Sequence, residues 1–203
     1  MAKKQKYVRA WHFVGDKLRD GSPIPPDGEW LEYPGECVMC EAGLHWSRDP
    51  FDALQYAPGE TLCLVEVDEI TSEQNDKGVS HRRRIVARKD ITEILRDFAR
   101  MQALSVSYLW AEQDDPDDVV LYWLVTGDES ARKSAVVSAR KSAKVSAWKS
   151  AMVSAMVSAM ESAKVSAMVS ARKSAWVSAW KSAKESARTE FNSLIHAEFA
   201  DVL

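Results

Sequence analysis

Ser-Ala recurs every four residues from Ser130 to Ala187 without a break. A coiled coil repeats every seven residues and a half-buried strand every two, so neither pattern explains this period. On a strand neither face would be apolar, and a β-solenoid would therefore lack a buried side. The segment contains no Gly or Pro and is rich in Ala, Lys, Arg and Met. Because these residues favour helix, we predict that 130–187 is α-helical.

The small residues of this helix must wind around it. Four residues turn an α-helix by about 400°, so each Ser-Ala pair lies about 40° further round than the pair before it. Small residues at this spacing let helices approach closely, and a period above 3.6 requires a right-handed supercoil. We therefore predict self-association, either of several tails or of one tail folded back on itself. The residues expected to mediate it are Trp148, Ala151, Met152, Ala155, Met156, Ala159, Met160, Trp176 and Trp180.

Three other interpretations of the repeat stay open. The first is a single solvated helix whose apolar side chains have no partner. The second is a helix on a membrane surface, since cations beside Trp and Met suit that interface, although a spiral presents no single apolar face. The third is nucleic-acid binding, which we do not expect because the cations are dispersed and 150–163 holds none. No stretch of about 18 apolar residues is present, so we expect no membrane span.

The formal net charge of −3 hides an asymmetry along the chain. Residues 1–129 are acidic, whereas the repeat is basic and contains only Glu161 and Glu185 as acids. This asymmetry indicates a partner for the tail, which could be the acidic head of its own chain or of a second copy. The basic start has no apolar run behind it and is not typical of a secretory signal. The three cysteines are then typical of reduced thiols in the cytoplasm.

Residues 1–110 predict an α+β head domain, with a small, mainly antiparallel sheet followed by helices. Asp49 is an expected N-cap and Pro50 suits the first turn of a short helix. Apolar and polar residues alternate in TLCLVEVDEI, so this strand is expected to bury one face. The predicted strands are 7–14, 36–40, 61–70 and 79–90, and the predicted helices are 48–57 and 91–110.

Three segments follow the head. Residues 111–129 predict an acidic helical connector, with a charged break over 111–118, a helix from Val119 and an interruption at 126–128. The repeat occupies 130–187. Residues 188–203 predict an amphipathic helix whose apolar stripe consists of Phe191, Leu194, Ile195, Phe199 and Val202.

A zinc site is one interpretation of the cysteines. Cys37 and Cys40 have CxxC spacing and could ligate zinc together with Cys63 and a histidine. No second CxxC follows, and residues three apart on a strand point to opposite faces. We therefore expect buried structural thiols and no metal site.

An anion-binding site is suggested by the run HRRR at 81–84. Arg82 and Arg84 could bind a phosphate or carboxylate group, or could be exposed on an edge strand. His45 and Ser47 are further candidates for ligand binding. No phosphate-binding loop, nucleophile elbow or HExxH motif is present.

Four elements of the head follow a recognisable order: a strand with a histidine (AWHF), the string GLHWS, a helix with Ala53 and Tyr56, and a strand with Glu66. This order resembles ADP-ribosyltransferase-like folds, where such elements surround a nicotinamide cofactor. The resemblance implies that His12 and Tyr56 contact NAD and that Glu66 is the catalytic acid. Apart from it, no head motif is catalytically complete and no cofactor is expected.

A second resemblance covers residues 7–130. The strings AWHFVGDKLRDGSPIPPDGEWL, CEAGLHWSRDPFDALQYAPGETLCLVEV, RRRIVAR and TGDES stand ahead of an Ala-rich repeat. They are similar to a family of uncharacterised bacteriophage and prophage proteins. The resemblance implies a phage protein in the cytoplasm of the infected cell, whose partner could be a host or phage protein, and it brings no established activity.

Two functions are therefore weighed. The first is a binding or assembly protein, in which the repeat self-associates and the head binds an unidentified ligand or partner. The alternative is an enzyme with an NAD-binding, ADP-ribosyltransferase-like head and the repeat as an oligomerisation element. We favour the first because no head motif is catalytically complete.

Overall fold

The computed structural model describes residues 7–105, 119–139 and 165–203, with backbone only for 165–180. The chain divides into two compact units. One, which we call the sheet unit, combines Met1–Leu95 with Arg188–Leu203, and the other, the repeat unit, is Arg96–Ala187. The expected α+β class is confirmed, because a mainly antiparallel sheet is combined with helices.

Five strands form the antiparallel sheet of the sheet unit. They are β1 (Val8–Val14), β2 (Trp30–Glu32), β3 (Leu44–Trp46), β4 (Thr61–Glu73) and β5 (Gly78–Asp90). The strand order is β1-β4-β5-β2, and β3 pairs with the start of β5. The predicted strands 7–14, 61–70 and 79–90 correspond to β1, β4 and β5.

The predicted strand at 36–40 is wrong. Val38 makes only an isolated bridge with Ala42, to whose carbonyl its N–H donates at 2.9 Å. The chain reverses here, since Cys40 has a φ of 70° and Gly43 a φ of 104°. A side chain at Gly43 would place its Cβ 2.6 Å from Val79, so glycine is required there for space as well as for φ. The apolar run therefore forms a tight turn in front of β3.

The strand register assigns side chains to the two faces of the sheet. Ala10 lies opposite Val65, which lies opposite Ile85, and His12 lies opposite Cys63. Residues directly opposite in an antiparallel pair share a face. We call this side the core face, because Ala10, Val65 and Ile85 belong to the cluster of buried residues completed by Val14, Trp46, Cys63 and Val67.

The other side, which we call the helix face, is covered by the end of the chain. It carries Trp11 opposite Leu64. The ring of Trp11 meets that of Phe199 edge-on at 5.1 Å. β4 is therefore buried on both faces over Leu62–Val65, and not on one face as its alternation predicted.

The helices differ in length. α1 (Pro50–Leu54) is shorter than predicted, and α2 (Thr92–Ser105) corresponds to the predicted helix at 91–110, of which 106–110 lie outside the described residues. α3 (Val119–Thr126) ends before Gly127, whose φ of 69° terminates the helix within the predicted interruption at 126–128. The remaining helices are α4, described over 129–139, and α5 (Val165–Glu198).

Residues 140–164 lie outside the described residues, and so do the side chains of Trp176 and Trp180. Helix over the whole repeat, and self-association through it, therefore stay predictions. No helix in the described ranges is both long enough and apolar enough to span a membrane.

The predicted C-terminal helix is the last part of α5, and from Arg188 onward it is part of the sheet unit. Phe191, Ile195 and Phe199 are each 0% exposed, which confirms three positions of the predicted apolar stripe. The sheet unit consists of two stretches of sequence, one ending at Leu95 and the other beginning at Arg188. The repeat unit, Arg96–Ala187, is therefore inserted between them along the chain and is not a tail.

Candidate functional site

A cavity of about 710 Å³ lies in the sheet unit. The end of β1 and the following loop form one side, and β3 with the turn before it forms another. This volume is in the usual range of small-molecule sites, about 300–1,000 Å³. Its polar and aromatic lining residues include His12, Tyr33, His45, Trp46, Ser47, Tyr56, Lys77 and Arg83.

Arg83 is the most unusual residue of the lining. It extends from β5, opposite Val67 and therefore on the core face, and is only 6% exposed. Its Nη1 donates a hydrogen bond to the backbone oxygen of His45. Burial lowers the pKa of Arg83 to about 10, so the guanidinium is still protonated at pH 7. Within the described residues it forms no ion pair, although buried charges in proteins are normally paired.

Two histidines of the same cavity are neutral at pH 7. Burial lowers the pKa of His12 well below 6.5, and the charge of Arg83 lowers it further. Burial is also the main cause that lowers the pKa of His45. The Nε2 atom of His45 accepts a hydrogen bond of 2.9 Å from the N–H of Cys40, so the ring proton is on Nδ1.

Tyr56 and Lys77 lie at the more exposed part of the lining. The Tyr56 hydroxyl donates to Asp76, and this bond is the main cause that raises the pKa of Tyr56. The Lys77 Nζ atom lies 5.0 Å from the centre of the Tyr56 ring, within range of a cation–π interaction. This side of the cavity therefore carries a second cation.

The structure brings His12, His45, Ser47 and Tyr56 to one cavity, but it does not bring Glu66 there. Glu66 lies opposite Arg9, an odd number of residues from His12 on β1, and so on the helix face. There it pairs with Arg84 at 2.6 Å. The catalytic acid implied by the resemblance is therefore separated from His12 by the sheet.

Arg82 and Arg84, the expected anion ligands, are instead paired with carboxylates. Arg82 contacts Glu32 at 3.1 Å and Asp68 at 3.4 Å, while Arg84 contacts Glu66. The residue between them, Arg83, was not predicted to be a ligand. The alternation of side chains along a strand could have identified Arg83. The apolar, buried Val79 and Ile85 place the odd-numbered positions of β5 on the buried side.

The expectation of buried thiols is correct for Cys63 and wrong for Cys40. Cys63 is buried, and desolvation raises the pKa of its thiol to about 11. Cys40 is exposed, because the chain turns there. Among the described residues, no group of three or more His, Cys, Asp or Glu side chains is placed to hold a metal ion.

The C-terminal helix contacts α1 through ion pairs and a hydrogen bond, and the sequence did not predict this contact. The Arg188 guanidinium binds Asp52 at 2.6 Å and Asp49 at 3.0 Å. The side-chain oxygen of Asn192 accepts a hydrogen bond of 3.0 Å from the N–H of Phe51. Asp49 occupies the predicted N-cap position, but its side chain makes no capping bond. We call these contacts the α1 clamp; they fix the element from which Ala53, another lining residue, extends into the cavity wall.

We expect the sheet unit to lose stability as the pH falls below 6.5. The unfolded chain protonates His12 and His45 near pH 6.5, whereas their folded pKa values are lower, so the unfolded state binds more protons in this range. The contribution of the two neutral histidines to the free energy of unfolding is complete above pH 6.5. It is lost as the pH falls towards their pKa values in the folded state. Each unit of depression at His12 is worth about 1.4 kcal/mol.

Urea denaturation at about pH 7.5 and about pH 5.5 measures this effect. The change in unfolding free energy between the two values should be smaller in His12→Gln than in the parent. Equal pH dependence in the two proteins would show that His12 does not carry the effect.

Comparison with known proteins adds one match. Residues 8–97 match the family model of DUF7666, a domain of unknown function. No curated protein and no solved structure matches the chain. The match spans β1 to β5 and the start of α2, and therefore all residues that line the cavity. It leaves out the repeat and the C-terminal helix.

Proposed function

We propose that this chain is a binding and assembly protein: the sheet unit takes a small ligand into its cavity, and the inserted repeat associates with other copies. The observation that carries the proposal is the cavity itself. Its volume suits a small molecule, and two neutral histidines, a buried arginine and several aromatic rings converge on it. Pockets of this composition are the usual sites of ligand binding.

Ligand binding is tested by thermal unfolding with a mixed set of neutral and charged small molecules. A molecule that binds only the folded state stabilises it, by about 2.7 kcal/mol at a hundred times its dissociation constant. We expect at least one compound to raise the unfolding temperature of the parent and to have no effect on Ala42→Phe, which fills part of the cavity. Equal shifts in both proteins would place the binding elsewhere.

Assembly through the repeat is supported by its pattern. Ser-Ala pairs every four residues give a helix surface that a second helix can approach closely. The Trp and Met side chains that wind around the helix with these pairs form an apolar surface that is expected to be buried against a partner. α5 is helical from Val165 onward, which is compatible with this packing. The phage setting and the cytoplasmic location rest on the sequence resemblance over 7–130.

Light scattering of the full-length protein tests assembly. We expect a mass of at least two chains of 22.7 kDa each. The variant Met152→Lys, Met156→Lys, Met160→Lys should dissociate towards the monomer, because it places charges in the uncharged middle of the repeat. A monomeric parent would contradict self-association between copies.

An NAD-binding head is the second candidate function. The observation that favours it is that His12 and Tyr56, the two residues the resemblance assigns to NAD, line the same cavity. Because Glu66 is on the helix face, this candidate has no assigned acid. Calorimetric titration with NAD should show binding that His12→Ala loses, and an absence of heat with the parent would reject it.

A further inference from the structure

The cavity has two buried side chains that can only donate hydrogen bonds. Among the described residues Arg83 has one acceptor, the backbone oxygen of His45, for a guanidinium with five N–H groups. Trp46 is 2% exposed, and its Nε1 atom has no acceptor among the described residues. Buried donors are normally paired, so two such residues in the lining of one cavity indicate that an acceptor comes from outside the chain.

The acids of the lining do not supply that acceptor. Glu32 is engaged by Arg82, and Asp20 accepts hydrogen bonds from the N–H and the hydroxyl of Ser22. The third acid, Glu41, is exposed to solvent. None of the three forms an ion pair with Arg83 within the described residues, so the guanidinium charge is left for a ligand to balance.

The geometry points to a small organic oxyanion as the ligand, bound through a phosphate or carboxylate group to Arg83 with Trp46 as a second donor. This inference rests on the proposed ligand-binding role of the cavity. A planar guanidinium matches both kinds of oxyanion, because its fork can donate two parallel hydrogen bonds. Since the volume of about 710 Å³ greatly exceeds that of a phosphate or carboxylate group, the anion is one end of a larger molecule.

The rest of the lining suits an organic body. Tyr33, Trp46 and Tyr56 offer aromatic surface, and the neutral rings of His12 and His45 add flat, weakly polar walls. Lys77 adds a second positive charge near Tyr56. We therefore use ring-bearing anions as probes.

The test is calorimetric titration of the full-length protein with phenyl phosphate, benzoate and benzyl alcohol. Phenyl phosphate and benzoate share the ring and differ in the oxyanion, so the tighter of the two identifies the anionic group, while benzyl alcohol lacks the charge. We expect Arg83→Met to weaken anion binding about tenfold to a hundredfold, as for loss of a charged hydrogen bond. Arg83→Lys keeps the positive charge but not the two parallel N–H donors, so its affinity for the anion should lie between those of the parent and Arg83→Met.

Arg88→Met is the matched control. Arg88 is on the same strand, but it is paired with Asp27 and with the backbone oxygen of Pro25, so its loss should leave binding unchanged. Arg83→Met removes a buried unpaired charge and is therefore expected to unfold at the same or a higher temperature than the parent. If it fails to fold, the comparison of Arg83→Lys with Arg88→Met decides.

Three results would overturn the inference. The first is that neither anion binds. The second is that benzyl alcohol binds as tightly as both anions. The third is that the Arg83 variants bind the anions as tightly as the parent does. The second result would leave the cavity as a ligand site and reject only its preference for anions, which separates this inference from the proposed function.

Discussion

A chain that ends at Ala187 is expected to lose the cooperative unfolding transition of the sheet unit. The deletion removes three fully buried side chains, Phe191, Ile195 and Phe199, and uncovers Trp11 on the helix face. Removing one buried phenylalanine side chain costs about 3–5 kcal/mol, and one isoleucine about 2–5 kcal/mol. The sum is comparable to the whole stability of a typical domain, about 5–15 kcal/mol.

Tryptophan fluorescence during urea denaturation of the full-length and shortened chains measures this loss. Two single variants provide a graded version: Phe199→Ala should destabilise by about 3–5 kcal/mol, and Ser193→Ala, on the exposed side of the same helix, by less than about 0.5 kcal/mol. A shortened chain that unfolds at the parental urea concentration would show that the C-terminal helix is not part of the core.

Loss of the α1 clamp is expected to have the second largest effect. Asp52 is 2% exposed, and both its carboxylate oxygens accept hydrogen bonds from Arg188. Arg188→Ala leaves this carboxylate buried without its cation, and breaking a buried pair by removing one partner costs about 3–5 kcal/mol. Urea denaturation gives the free energy of unfolding for this variant.

A double-mutant cycle with Asp52→Ala separates the pair from its surroundings. Because the double variant leaves no unpaired charge, it should be more stable than the sum of the two single losses predicts. Additive losses would show that Arg188 and Asp52 do not interact. The corresponding exposed pair, Arg132 with Glu129, should contribute less than about 1 kcal/mol and serves as the comparison.

The local patterns of the sequence predicted most of the sheet. Alternation identified β1, β4 and β5, and the helical period identified α2 and the apolar stripe of the C-terminal helix. These elements were predictable because their periodicity follows from which side of each element is buried. The strand at 36–40 was mispredicted because the positive φ of Cys40, a residue that seldom adopts it, leaves no pattern in the sequence.

Long-range contacts could not be predicted in the same way. The alternation of TLCLVEV indicated one buried face, and the second face became buried only because residues far along the chain fold back onto it. The α1 clamp joins Asp52 to Arg188, and no local rule relates two residues so far apart in sequence. The packing of the C-terminal helix against the sheet was not predicted for the same reason.

The candidate site was predictable in part. His12, His45, Ser47 and Tyr56 were identified and do share one cavity. Glu66, which was grouped with them, lies on the other face because it is an odd number of residues from Cys63, the partner of His12. Arg83 was missed because its neighbours Arg82 and Arg84 have the same side chain, and only the strand register distinguishes the buried arginine from the two paired ones.

We propose that Arg83 balances its charge with an anion in the cavity. The most direct measurement is the ¹H–¹⁵N resonance of the Arg83 Nε–H group during titration of the full-length protein with phenyl phosphate and benzoate. We predict a saturable shift of this resonance with at least one of them, together with the indole N–H of Trp46, while Arg84, paired with Glu66 on the helix face, does not move. If Arg83 shifts no more than Arg84 with either anion, the claim is contradicted.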